Sequence, residues 1–269
     1  MACPCGVPST GMFQLFKARH RATLRASPFP EAWRAIIAAN VRYVSTLSSE
    51  DHAELEGHVQ VFLAEKKFEG CAGLEITDEI RVTIAAQACL LLLHRETDYF
   101  PELDVILVYP HTYVAKTSTR FAGGLALADQ QARLGQSASG VVVLTWDAVR
   151  RGATDVHDGH NVTLHEFAHQ LDQEDGAADG APVLGKRAMY TAWARVLGAE
   201  FAHLVDDVDK HRPNDIDEYG ATNPAEFFAV VTEMFFEKPV QLRRRHPELY
   251  EQLALFYRQD PAARVVRRG

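Results

Sequence analysis

The sequence predicts an α+β fold, and three observations carry that expectation. Several long stretches repeat apolar residues at the three- and four-residue spacing of a helix; two short stretches mid-chain are rich in β-branched residues; and those two fall together instead of alternating with helices. At 269 residues and 47% hydrophobic content the chain can bury a sizeable core. No internal repeat or low-complexity linker divides it.

Taken in order, residues 1–27 mix Gly, Pro, Ser and basic side chains and are expected to form a mobile lead-in, with one domain over 28–261 and a basic tail over 262–269. Trp33, Ile36, Ile37 and Val41 recur at helical spacing, so a helix is expected over 31–43 with Pro30 at its start. A second is expected over 49–67, ending at "FEGCAG". Thr77, followed by Asp78 and Glu79, reads as the N-cap of a third that carries residues 80–93 into the core. Residues 104–114 ("DVILVYPHTYV") and 140–146 ("GVVVLTW") read as strands. Three later helices are expected over 186–208, 223–237 and 247–257.

Composition narrows the function classes. The net charge is -8 and the 28 basic residues are scattered, so no continuous footprint for nucleic acid is present. The longest apolar run, "TIAAQACLLLLH", is interrupted by Gln87 and is shorter than the roughly 20 residues a membrane span needs. The N-terminus lacks the charged start and apolar core of a secretory signal, which points to a cytoplasmic protein. Cys3, Cys5, Cys71 and Cys89 form no C-x-x-C pair, and the expectation is reduced thiols.

The chemistry lies in "TLHEFAHQLD". Residues four apart share one helix face, so His165 and His169 can offer nitrogens to one metal ion, while Glu166 projects beside them as a base for an activated water. Asp158, Gly159 and Asn161 supply a helix start. A catalytic zinc takes three protein ligands and leaves a fourth position open, so one ligand is missing. "YGATNPAEFFAVVTEMFFEKP" offers it from a later helix. Spacing leaves Glu226 and Glu233 as equal candidates, because they lie seven apart on roughly one face and Asn223-Pro224-Ala225-Glu226 also reads as a capping box. His157 and His160 are weaker alternatives that read as solvated loop residues. Asp172 is placed to orient an imidazole, to cap a neighbouring helix, or to face water.

These segments, together with "FLAEKKFEGCAGLEITDEIRVTIAAQACLLLL", "VILVYPHTYV", "VVVLTWDAV" and "FYRQDP", resemble the MtfA (Mlc titration factor A) family, glucose-regulated zinc peptidases with an active site similar to that of anthrax lethal factor. The resemblance spans about residues 59–261; the first 25 residues and "RVVRRG" find no counterpart in it. It implies a mostly helical, zincin-like metallopeptidase domain with a small sheet before the H-E-x-x-H helix. It assigns zinc ligation to His165, His169 and Glu226, the general base to Glu166 and a transition-state phenol to Tyr219, which by itself reads as an ordinary aromatic. It further implies a peptide substrate, aminopeptidase-like action and binding to a sugar-responsive transcriptional repressor of the Mlc type. A regulatory protein that sequesters such a repressor with little hydrolysis is the alternative. The strand at 140–146 is a candidate for main-chain pairing with an extended peptide.

Overall fold

The computed structural model describes residues 10–111 and 140–266. Through them the chain forms α1 (Thr10–Ala26), α2 (Glu31–Asn40), α3 (Ser49–Glu65), β1 (Lys67–Gly70), α4 (Asp78–Leu90), β2 (Val105–Tyr109), β3 (Val141–Thr145), α5 (Trp146–Thr154), α6 (Val162–Asp172), α7 (Arg187–Asp209), α8 (Pro224–Glu237), α9 (Pro239–Arg245), α10 (Pro247–Tyr257) and α11 (Pro261–Val266). Short 3-10 turns occupy Arg42–Thr46, Gln173–Asp175 and Glu218–Ala221. The α+β expectation holds. No helix among the described residues is long and apolar enough to cross a membrane.

The most apolar stretch forms the centre. In α4, Ile80 and every residue from Val82 to Leu90 are buried, and the Thr77 hydroxyl accepts the Ile80 N–H at 3.3 Å as the N-cap. Strands β1, β2 and β3 form a parallel sheet in that order, with Val105 opposite Lys67 on one side and Val141 on the other. Ile106, Val108, Val142 and Leu144 are buried while their neighbours in sequence are less so, the alternation of a sheet with one face on the core.

Two helices hold the functional face. Phe167 of α6 packs against Phe100 at a ring separation of 4.9 Å and Phe62 of α3 at 5.6 Å. Each such side chain stabilises the fold by about 1.5–3 kcal/mol through burial, which seats α6 on the core. Helix α8 is buried from Ala225 to Glu237, and Phe228 meets Trp193 of α7 at 5.7 Å.

The ends depart from expectation. Residues 10–26, placed in a lead-in, form a helix in which Lys17 pairs with Asp98 at 2.9 Å and Arg21 with Glu65 at 2.6 Å. Within residues 1–26 every Gly, Pro and Ser falls in the first eleven positions, and residues 12–26 are a run free of helix breakers that the average composition of the whole segment conceals. The boundary expected at 261 likewise falls at the start of α11, whose Arg264 donates to Asp51 Oδ2 at 3.2 Å and the Tyr43 hydroxyl at 3.1 Å. Helix α2 stops before 43 because Val41, Tyr43 and Val44 turn inward on a tighter 3-10 turn, where all three are buried. Strand β1 runs from Lys67 into "FEGCAG", largely exposed and with no alternation to announce it. Residues 112–114 of the expected strand lie outside the described residues, as do Cys3 and Cys5; Cys71 and Cys89 are free thiols.

Candidate metal centre

Helix α6 begins where Asn161 Oδ1 accepts the Leu164 N–H at 3.0 Å, a side-chain N-cap that sets which way the helix faces. It carries His165 and His169 on one face, toward α8. There Asn223 caps through its own Oδ1, which accepts the Glu226 N–H at 3.0 Å, and Pro224 occupies the first turn. The capping reading of this stretch therefore holds for the backbone of Glu226. Its carboxylate does something else: it points across to the histidines.

Three atoms converge. His165 Nε2 lies 3.1 Å from Glu226 Oε2 and 3.2 Å from His169 Nε2, and the third side, His169 Nε2 to Glu226 Oε2, is 3.4 Å. A tetrahedral metal with bonds of about 2.0–2.1 Å holds its ligand atoms about 3.3 Å apart. This triangle of two nitrogens and one oxygen therefore fits a divalent ion of that kind without rearrangement. All three residues are largely shielded from solvent, Glu226 at 2% exposure most of all.

The electrostatics ask for a cation at the same point. Burial would depress the His165 pKa, but the charge of Glu233 and hydrogen bonds with Glu226 and Glu233 outweigh it and raise it well above the ordinary value. Burial would raise Glu226, yet hydrogen bonds from His165 and His169 hold it down at about 2. A proton on His165 and a metal ion are alternative ways to supply that positive charge, so the two compete. Glu166 is half-buried, and desolvation lifts its carboxyl above the usual range against the pull of both imidazoles.

The remaining candidates fall into two groups. Tyr219 joins the site: it lies on the Glu218–Ala221 turn, which Asp217 caps by accepting the Tyr219 N–H at 2.8 Å, and its ring centre is 6.0 Å from that of His165. Glu233 also touches His165, but at the opposite nitrogen, with Oε1 2.7 Å from Nδ1. His157 and His160 stay outside. Both are exposed, and His160 faces Asp217 Oδ2 at 3.8 Å. Asp172 is 1% exposed and accepts the Gly180 N–H at 3.0 Å, so it ties the segment after α6 in place. Gly180 is needed there, because a Cβ would come within 2.4 Å of the Pro224 carbonyl oxygen at the start of α8.

Sequence reasoning missed the support behind the site. Asn161 Nδ2 donates to Gln87 Oε1 at 3.1 Å, Gly152 O at 3.0 Å and Glu237 Oε1 at 3.2 Å. Gly152 permits this approach, since a Cβ there would lie 2.9 Å from Asn161 Cγ. Glu237 also accepts the Gly159 N–H at 3.0 Å, and burial, reinforced by Asp158 and Glu233, pushes its carboxyl up to about 8. The one visible signal was Gln87, a polar residue inside the most apolar run.

An H-E-x-x-H helix met by a carboxylate from a second helix is the arrangement of a metallopeptidase. The chain belongs to the glucose-regulated metallo-peptidase M90 family, whose match covers residues 15–258. That match begins within α1, so the resemblance reaches further toward the N-terminus than residue 59. The chain is 32% identical over 246 residues to Mlc titration factor A of Klebsiella pneumoniae, covering 88% of this chain and 89% of that protein. It is 31% identical over 259 residues to Mlc titration factor A of Cronobacter sakazakii, with 93% and 92% covered. An uncharacterised protein of Synechocystis is 41% identical over 236 residues, with 87% and 86% covered.

Proposed function

We propose that this chain is a zincin-like, zinc-dependent peptidase in which His165, His169 and Glu226 hold the metal, Glu166 is the general base and Tyr219 stabilises the oxyanion. The observation that carries the reading is the 3.1, 3.2 and 3.4 Å triangle of ligand atoms built on the helix that also carries Glu166. When bound, zinc supplies Lewis acidity, polarising the scissile carbonyl and bringing a water molecule toward a pKa of about 7. Glu166 takes the proton of the attacking water and passes it to the departing amine; desolvation, which raises its pKa, makes it a stronger base than an exposed carboxylate. Tyr219 donates its hydroxyl to the developing oxyanion from beside His165. The outer edge of β3 pairs with no strand among the described residues and is our candidate for main-chain contact with an extended peptide. A complex with a peptide analogue lying away from that edge would remove this part of the proposal. Aminopeptidase-like trimming is the preference we assign, tested by comparing free and N-acetylated peptides: equal cleavage rates would reject it.

The relatives' name, titration factor, motivates a second activity, binding of a transcriptional repressor of the Mlc type. Glu166→Gln separates the two. Peptidase action requires retained zinc and lost turnover, whereas a sequestering protein keeps full repressor affinity and has no turnover to lose. Wild-type protein that carries zinc yet cleaves no peptide would leave sequestration as the better reading.

A further inference from the structure

The proposed metal site uses one nitrogen of His165, and the other is equally constrained. His165 Nδ1 lies 2.7 Å from Glu233 Oε1, and Glu233 Oε2 accepts the backbone N–H of Asn161. The Asn161 carbonyl in turn accepts the His165 backbone N–H at 2.9 Å. These three hydrogen bonds close a ring that ties both the backbone and the imidazole of His165 to one residue. Glu233 is 6% exposed, so water does not compete freely for its oxygens.

A neutral imidazole carries one N–H and one lone pair, and an ionised carboxylate only accepts. Glu233 opposite Nδ1 therefore selects the tautomer protonated at Nδ1. The lone pair is then on Nε2, the nitrogen facing Glu226 Oε2 and His169 Nε2. Glu226 and Glu233 lie two turns apart on α8, so the His165 ring sits between two carboxylates of one helix, one on each nitrogen. The ring is in turn anchored to α4 and α5, through the bonds from the Asn161 amide to Gln87 and Gly152.

We infer that Glu233 is a positioning residue, which holds His165 in the Nδ1–H tautomer and aims Nε2 at the metal, with the Asn161 backbone N–H holding Glu233. The inference rests on the proposed metal site. Carboxylate partners of this kind change metal affinity by about 10- to 100-fold when removed.

The test is zinc affinity of the full chain by chelator competition for the parent, Glu233→Gln, Glu233→Ala, Glu226→Ala and His165→Ala, with nitrogen NMR of the His165 ring. Glu233→Ala is expected to weaken zinc binding about 10- to 100-fold and to lose the protected Nδ1–H signal. Glu233→Gln, whose amide oxygen still accepts but carries no charge, keeps that signal and loses less affinity. Zinc affinity within twofold of the parent in either Glu233 variant overturns the inference. Should Glu233→Ala fail to fold, the isosteric Glu233→Gln decides by the same twofold criterion. A parent that binds no zinc, or Glu226→Ala binding it as tightly as the parent, sinks the metal site itself and this inference with it.

Discussion

Among the described residues, two clusters bring histidine and carboxylate atoms within 4.8 Å of one another: His165, His169 and Glu226, and Asp51, Glu54 and His94. Their ingredients are alike, and they differ in how many imidazoles converge. In the second, as at His165, both ring nitrogens of the histidine face carboxylates, His94 Nε2 at 3.0 Å from Asp51 and Nδ1 at 3.3 Å from Glu54. Asp51 has Arg264 on its other oxygen, and Glu54 also receives the His94 backbone N–H at 2.8 Å. These contacts form a clamp that joins α3, the turn after α4 and α11 around a single imidazole. In the first cluster, two Nε2 atoms and one carboxylate oxygen crowd together with Nδ1 of His165 engaged behind. Composition does not distinguish a metal centre from a clamp; converging lone pairs do.

The largest expected effect breaks that comparison directly. His165→Ala should abolish stoichiometric zinc binding while His94→Ala retains it, read by metal content after mild purification; the opposite pattern would exchange the roles of the clusters. Glu166→Gln should lower peptide turnover by about 10²- to 10⁴-fold with zinc retained, because it removes the base and leaves the ligands. Tyr219→Phe is expected to reduce kcat by about 10²-fold at unchanged zinc content, if its hydroxyl acts as other oxyanion donors do. An unchanged kcat would return Tyr219 to the role of a packing aromatic.

Smaller effects sharpen the contrast through stability. Gly152→Ala forces a Cβ toward Asn161 and should destabilise the protein by about 1–3 kcal/mol in urea unfolding. The two regions should also respond to pH with opposite sign. Glu237, at about 8 in the fold against an ordinary 4.5, binds its proton more tightly when folded. Its contribution therefore falls as pH rises from about 4.5 to about 8. Glu54 is lowered, chiefly by the hydrogen bond from His58, so its contribution is present at neutral pH and is lost as pH falls through its folded value. Unfolding of chelator-treated protein across pH should show Glu237→Gln flattening the alkaline limb and Glu54→Gln the acid limb. Identical profiles for the two variants would reject this division.

Much of the site was legible because its logic is local. His165, Glu166 and His169 lie within one and a half turns, and the caps at Asn161, Thr77 and Asn223 follow from side chains that satisfy amides two or three residues on. Where partners are distant, the reading failed. Helix α1 is docked by Asp98 and Glu65, 81 and 44 positions away from Lys17 and Arg21 respectively. Strand β1 is a strand only because β2 pairs with it. Helix α5 was hidden because the β-branched run of β3 continues directly into it at Trp146.

What the sequence determined by itself was the helix that offers two imidazoles and a base on one face, since 3.6 residues per turn leaves that geometry little freedom. It also limited the third partner to the helix that carries Glu226 and Glu233. Only the tertiary structure assigned those two carboxylates to opposite nitrogens of His165, because which oxygen meets which nitrogen depends on how α6 crosses α8. Side chains seven apart are equivalent along an isolated helix, and become different only when a second helix lies across one of them.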